Sequence, residues 1–212
     1  MKICYGISVA ARKDCRERLI DATLSLCRRC GYEATSVDQI AAVAEATPDE
    51  FARYFASKDE VLVSIVEDLL QAAADALGDV EPDTGPEHAL FIATTKVVSR
   101  VIDGRGVITR DRFLAAAQVF TAHPNLRQQV SLARKRILTG ALADRLGVAE
   151  DHRHVHQAVT RWSAIMAGAY VVGGSMADYY DPRTDDQLIE RMIAELSATF
   201  ADVMGDNPPQ PD

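Results

Sequence analysis

Ser36-Val37-Asp38-Gln39, Thr47-Pro48-Asp49-Glu50 and Ser57-Lys58-Asp59-Glu60 follow one another near the front of this 212-residue chain. Each has the form of a capping box. The Ser or Thr hydroxyl accepts from the backbone N–H three residues on, and the Gln or Glu side chain reaches back to the cap residue's own N–H. The starts are 11 and 10 residues apart, so the first two helices run only two turns, while nothing interrupts the third before Gly78. Two short helices joined by a tight turn bury little by themselves. They need a neighbour, and Arg16 to Cys30 supplies an amphipathic helix just upstream. The spacing predicts a helix-turn-helix followed by a long connecting helix.

Composition carries the same message for the rest of the chain. Hydrophobic residues make up 48% and aromatics only 6%, and no stretch shows the alternation of a half-buried strand, so an all-α protein is expected. The net charge of −8 argues against a protein coated in nucleic acid, yet the charge is unevenly placed. Residues 1–58 hold nine Lys/Arg against eight Asp/Glu, a net of +1, which leaves −9 on the remainder. A near-neutral head on an acidic body approaches phosphate weakly and in a salt-sensitive way.

Lys2 followed by Ile3 to Ala11 mimics a short secretory segment. Cys4, Tyr5, Gly6 and Ser8 dilute it, and Arg12-Lys13 follows at once, so it reads as an untethered N-terminal arm. The apolar run Ser163 to Ala177 is too short to span a bilayer and reads as a buried helix. A cytoplasmic protein without membrane contact is the expectation.

Further along, residues 78–85 read as a linker, and Thr84-Gly85-Pro86-Glu87 as another capped start. Helices are then predicted from there to Asp103-Gly104, from Thr109 to His123, from Pro124 to Leu146, from Arg153 to Tyr179 and from Thr184 to Gly205. About nine helices result. Residues 1–57 form a three-helix helix-turn-helix domain with its arm. Residues 58–206 form a helical body with 58–77 as the connecting helix, and 207–212 a disordered tail.

The head resembles the tetracycline-repressor (TetR) family of dimeric bacterial transcriptional regulators. The resemblance rests on Arg18 to Ala22, Gly31-Tyr32, Thr35-Ser36-Val37, Ile40-Ala41, Ala44, and Phe51 to Lys58 as Phe-Ala-Arg-Tyr-Phe-Ala-Ser-Lys. It implies that Ser36 and Thr47 touch phosphate, that Arg53 and Tyr54 face the groove, and that Lys58, at the start of the fourth helix, also contacts DNA. It also implies double-stranded operator DNA as partner, a homodimer, and a small-molecule ligand. Two positions depart from the family pattern. Glu45 stands where the turn usually has Gly, and Ala52 where an aromatic is usual. With Asp49 and Glu50 they add negative charge close to the DNA and leave Arg53 as the basic residue of the recognition helix. Arg12, Lys13 and Arg16 then become candidates for supplementary phosphate contacts.

In the body, Ile165, Ala169, Gly173 and Ala177 recur every four residues, and Ile189, Ile193, Leu196 and Phe200 line the last helix. These two stripes are the expected dimer interface, with plain intramolecular core as the alternative. Phe91, Thr95, Phe113, Ala117, Phe120, Trp162 and Met166 are the candidate lining of one apolar pocket for an apolar molecule, again with core packing as the alternative.

Cys27-Arg28-Arg29-Cys30 is a C-x-x-C at a helix end, where no helix N-terminus lowers a thiol pKa, so Cys27 reads as core filler. Neither a four-thiolate site with Cys4 and Cys15 nor a His152/His156 metal pair is favoured, and no metal or cofactor is expected. No phosphate loop, nucleophile elbow or H-E-x-x-H motif is present. The expected function is a ligand-responsive DNA-binding repressor, not an enzyme. The alternatives are a ligand-binding or protein-interaction dimer whose head no longer reads DNA, and a thiol-disulfide enzyme using Cys27 and Cys30.

Overall fold

A computed structural model of the chain describes the backbone of residues 5–174 and 185–205, and side chains from Cys15 onward except those of 121 and 170–188. Among the described residues there are nine α-helices and no strand. They are α1 (Tyr5–Cys30), α2 (Val37–Val43), α3 (Pro48–Tyr54), α4 (Lys58–Ala76), α5 (Pro86–Ile102), α6 (Arg110–Ala122), α7 (Pro124–Leu146), α8 (Arg153–Gly174) and α9 (Asp185–Met204). A single 3-10 turn, Leu77–Asp79, follows α4. The tail at 207–212 and the end of the helix expected to reach Tyr179 lie outside the described residues.

The starts follow local chemistry. Ser36 and Thr47 form complete capping boxes with Gln39 and Glu50. Ser57 accepts from the N–H of Glu60, but the Glu60 carboxylate takes its bond from Ala56 rather than from Ser57, so the third box closes one residue early. Gly85 begins α5 without any side-chain cap, which corrects the expected Thr84–Glu87 start. Glu87 has another task. Its carboxylate is almost fully buried and meets Arg161 of α8 at 3.2 Å, tying α5 to α8. At the other end, α7 stops at Gly147, whose φ of +64° suits a residue without Cβ, while Val148 N–H returns to the Ala143 carbonyl.

Upstream, α1 is longer than expected and takes in part of the segment read as a free arm. Ala10-Ala11-Arg12-Lys13 favours helix, and no breaker separates it from Arg16.

The interior falls into two apolar clusters. Leu19, Ile20, Leu24, Cys27, Ile40, Phe51 and Phe55 of the head join Val61, Leu62 and Ile65 of α4 and continue into Val119 and Phe120 of α6 and Leu126 and Val130 of α7. The head therefore does not close its own core. A second cluster, far from the head, gathers the end of α4 with Leu90, Phe91, Leu138, Leu142, Val159, Trp162, Ile165, Leu196 and Phe200. Even the expected linker is held down. Arg145 donates to the carbonyls of Leu77, Val80 and Glu81 at 2.6–2.9 Å, so the chain between α4 and α5 is anchored to α7.

Candidate nucleic-acid interface

The helix-turn-helix is locked from inside and open outside. Phe51 and Phe55 bury their rings 5.9 Å apart against Ile40 and α1, which fixes the rotation of α3. Positions one and two residues after Phe51 must then point away, and Ala52 and Arg53 are exposed together with Asp49, Pro48 and Thr47. Ser36 is exposed at the start of α2, its hydroxyl accepting from Gln39 N–H at 3.2 Å. Tyr54 is half-buried beside Phe55. Arg18 reaches from α1 to the Ala44 carbonyl at 2.9 Å and ties α1 to the end of α2.

Glu50 sits close to this surface, but its charge is engaged. Its carboxylate accepts from Thr47 N–H at 2.8 Å and from the Thr47 hydroxyl at 3.2 Å. The backbone bond from Thr47, then the hydroxyl and nearby Arg53, hold this carboxyl below its ordinary range. Glu45 is different. It is exposed in the turn between α2 and α3 with φ +53°, a left-handed conformation. Ala46 N–H closes back onto the Ala41 carbonyl at 2.9 Å, the pattern of a helix end that wants Gly at the left-handed position. The turn is formed as in a Gly-containing sequence, with a Cβ and a negative charge added.

Two basic residues expected at the DNA are used internally. The Lys58 ammonium donates to the carbonyls of Tyr32 at 2.7 Å and Thr35 at 3.0 Å, and lies 4.1 Å from the Tyr32 ring centroid. It braces the loop between α1 and α2 and is not extended toward phosphate. Arg16 binds Asp68 of α4 at 3.2–3.3 Å and lies over the Phe55 ring. Arg12 and Lys13 have side chains outside the described residues.

Contacts between head and body were invisible in the sequence. Arg112 of α6 forms ion pairs with Asp21 and Glu17 of α1, residues about ninety positions away. Tyr32 hydrogen-bonds Asp59 and stacks at 4.4 Å on His123, the residue that precedes α7. Burial and that bond to Asp59 push the Tyr32 hydroxyl pKa well up.

The candidate pocket residues do not come together as one lining. Phe113 and Phe120 pack with the head-side cluster, whereas Phe91, Trp162 and Met166 belong to the far one. Phe91 packs tilted on Phe200 at 4.5 Å and Trp162 meets the same ring edge-on at 6.4 Å, and the Thr95 hydroxyl is spent on its own helix at the Phe91 carbonyl. Ala117 is half-buried on α6. Helical spacing of aromatics cannot distinguish a lining from a core, and here most of it is core.

The expected dimer stripes need correction for a similar reason. Ile165, Ile189, Leu196 and Phe200 are buried within the single chain, and Ala169 packs against the far cluster. Ile193 is half-buried. The surroundings of Gly173, and Ala177 altogether, lie outside what is described. Residues that α8 and α9 leave exposed include Thr160, Arg161, Ala164 and Ala167, and Glu190, Arg191, Ala194, Ala198 and Asp202. Close helix approach occurs at Gly168, where a Cβ would stand 3.0 Å from Thr199.

Cys27 is buried in the head core, where burial raises its thiol pKa, while Cys30 is exposed. Burial thus disfavours a reactive thiolate at Cys27. Among the described residues no group of three or more His, Cys, Asp or Glu is placed to hold a metal, and no helix is long and apolar enough to cross a membrane.

The exposed α2–α3 pair on an all-helical body has the arrangement of a helix-turn-helix. Residues 19–65 match the family model for bacterial regulatory proteins of the tetR family. The head, residues 19–65, is thus similar to the N-terminal domain of tetR-family regulators. The chain is 38% identical over 89 residues to the HTH-type transcriptional regulator TcmR of Streptomyces glaucescens, a match covering 42% of this chain and 39% of that protein. It is 41% identical over 58 residues to the HTH-type transcriptional repressor KstR of Rhodococcus jostii, covering 27% of each. The matches thus span well under half of either relative. Across 91% of the chain the fold is similar to a putative TetR-family transcriptional regulator from Syntrophomonas wolfei, with 96% of that chain covered, a TM-score of 0.54 and 18% identity.

Proposed function

We propose that this chain is a ligand-responsive, homodimeric regulator that binds operator DNA through α2 and α3 and represses until a small molecule is bound by the body. One observation carries the reading. Two complete capping boxes hold Ser36 and Thr47 exposed at the starts of α2 and α3, and Phe51 and Phe55 turn Arg53 outward beside them. Such a surface offers hydroxyls and helix N-termini to phosphates and one guanidinium to base edges. Ser36, Thr47, Arg53 and Tyr54 are the proposed DNA contacts. Lys58 supports them by fixing the loop that leads into α2.

A head-to-operator fit requires two heads one helical turn apart, hence a second copy. The outer faces of α8 and α9 carry Ala164, Ala167, Ala194 and Ala198, small residues at which two such pairs can approach closely as a four-helix interface, flanked by Arg161, Glu190 and Arg191. The ligand acts through two routes from body to head: the continuous α4, and the Arg112 pairing of α6 with α1. A ligand that binds better to one arrangement of these contacts shifts the head spacing.

Binding to the DNA upstream of the protein's own gene, followed by fluorescence anisotropy at several salt concentrations, tests the reading. Specific binding with a steep salt dependence is expected, and Arg53→Ala should abolish it with the melting temperature unchanged. Wild-type protein that binds this DNA no better than random duplex would favour instead a ligand-binding dimer without DNA readout, for which exposed Glu45 and Asp49 speak.

A further inference from the structure

Pro48, Asp49, Ala52 and Arg53 are the exposed residues of α3. Their spacing places them on one face, turned away from the buried Phe51. Glu50 is not free to join them, since its carboxylate is committed to Thr47. Asp49 and Arg53 stand one helical turn apart, a spacing that sets Cβ atoms about 5–6 Å from each other. Neither makes a hydrogen bond or an ion pair among the described residues. Pro48 and Ala52 add only carbon beside them.

A carboxylate at this place has two opposite effects on DNA. It repels phosphate, which weakens binding to every sequence alike. It can also accept a hydrogen bond from a base edge, which favours one sequence over others. The major groove, where the second helix of a helix-turn-helix lies, offers two amino donors, cytosine N4 and adenine N6. An ionised carboxylate only accepts. Adenine N6 lies beside the acceptor N7, whereas cytosine N4 has no acceptor of its own base next to it, so a carboxylate favours cytosine. Arg53 has the converse preference, because its donor fork fits O6 and N7 of guanine. Base pairs follow one another at about 3.4 Å, so side chains one helical turn apart reach the same pair or its neighbour. An acceptor and a donor fork set side by side therefore match cytosine and guanine set side by side.

We propose that Asp49 determines sequence specificity at the DNA interface by accepting from the N4 amino group of a cytosine, at or next to the base pair whose guanine Arg53 reads. This rests on operator binding as proposed above and adds the class of sequence that is bound.

Selection from a randomised duplex library with the full-length protein yields the preferred site, and anisotropy with each base pair replaced in turn measures what every position contributes. The wild type should show a cytosine whose replacement weakens binding about tenfold or more, at or beside a guanine whose replacement does the same. Asp49→Asn supplies a side chain that pairs with adenine N6 and N7, so the preference at the cytosine position should move to adenine while other positions keep theirs. Asp49→Ala should level the four bases there. A fold defect would weaken all sequences alike and could not exchange one base for another. Tighter binding of every duplex by the same factor in Asp49→Asn, with the wild-type order of bases kept, would overturn the inference and leave Asp49 as a source of phosphate repulsion. A selected site without such a cytosine would overturn it too, with operator binding intact. No enrichment of any sequence would instead remove the operator reading itself, and this inference with it.

Discussion

Replacing Glu45 by Gly should stabilise this protein and tighten its hold on DNA, and the two effects can be separated. Glu45 adopts φ +53° between α2 and α3, where its Cβ crowds the backbone. A left-handed conformation costs a non-Gly residue about 1–2 kcal/mol. Glycine relieves that but loses about 0.5–1 kcal/mol more chain entropy on folding. The net gain is about 0.5–1 kcal/mol, which for a chain of this size raises the melting temperature by about 1–4 °C. The exposed carboxylate is lost at the same time, and with it a repulsion from phosphate that fades as salt rises. Glu45→Gln isolates the second effect, since Gln removes the charge and retains the Cβ. Glu45→Gln should therefore melt like wild type yet bind DNA more tightly at low salt. Glu45→Gly should gain in both assays, and Glu45→Asn, a residue that tolerates this conformation, should fall between them in stability. Scanning calorimetry and anisotropy at two salt concentrations make the comparison. A Glu45→Gly protein no more stable than wild type would refute the claim that this turn carries backbone strain.

Lys58→Met should cost about 2 kcal/mol, because the Tyr32 and Thr35 carbonyls lose a charged donor, and denaturant unfolding checks it. A selective loss of DNA affinity at unchanged stability would return Lys58 to the phosphate contacts. Ala198→Arg on the outer face of α9 should yield folded monomers in sedimentation, whereas Phe200→Ala should lower stability by about 3–5 kcal/mol as a core truncation. An Ala198→Arg dimer with wild-type affinity would remove that face from the interface. Glu50 gives a pH dependence of known sign. Its pKa is lowered in the folded state, so its contribution is complete above the ordinary carboxyl value and is lost as pH falls through the folded one. Glu50→Gln should flatten that acid limb of the melting curve, and an identical acid profile in the variant would show that the Thr47 cap does not hold the charge.

Local chemistry made much of the architecture legible. The boxes at Ser36 and Thr47 depend on residues three apart, so the sequence alone determined where α2 and α3 begin, how short they are, and that a long helix follows. Proline and glycine placed the ends of α5, α6, α7 and α9 in the same way. Even the oddity at Glu45 was readable, because only the backbone of that turn is at stake.

What stayed hidden depends on which side of a helix meets which neighbour. A stripe such as Ile165, Leu196 and Phe200 has the same periodicity whether it faces its own chain or a second copy, and only the packing of α8 and α9 against α5 assigned it to the interior. For the same reason the aromatics of the supposed pocket divided between two clusters. The charges show this most plainly. Lys58 and Arg16 looked available for phosphate until tertiary contacts brought carbonyls and Asp68 within hydrogen-bond reach, and Arg112 met Glu17 and Asp21 from far along the chain. A cap or a turn is decided by bonds among neighbours in sequence; the role of a long, flexible side chain is decided by whichever partner the fold delivers to its tip.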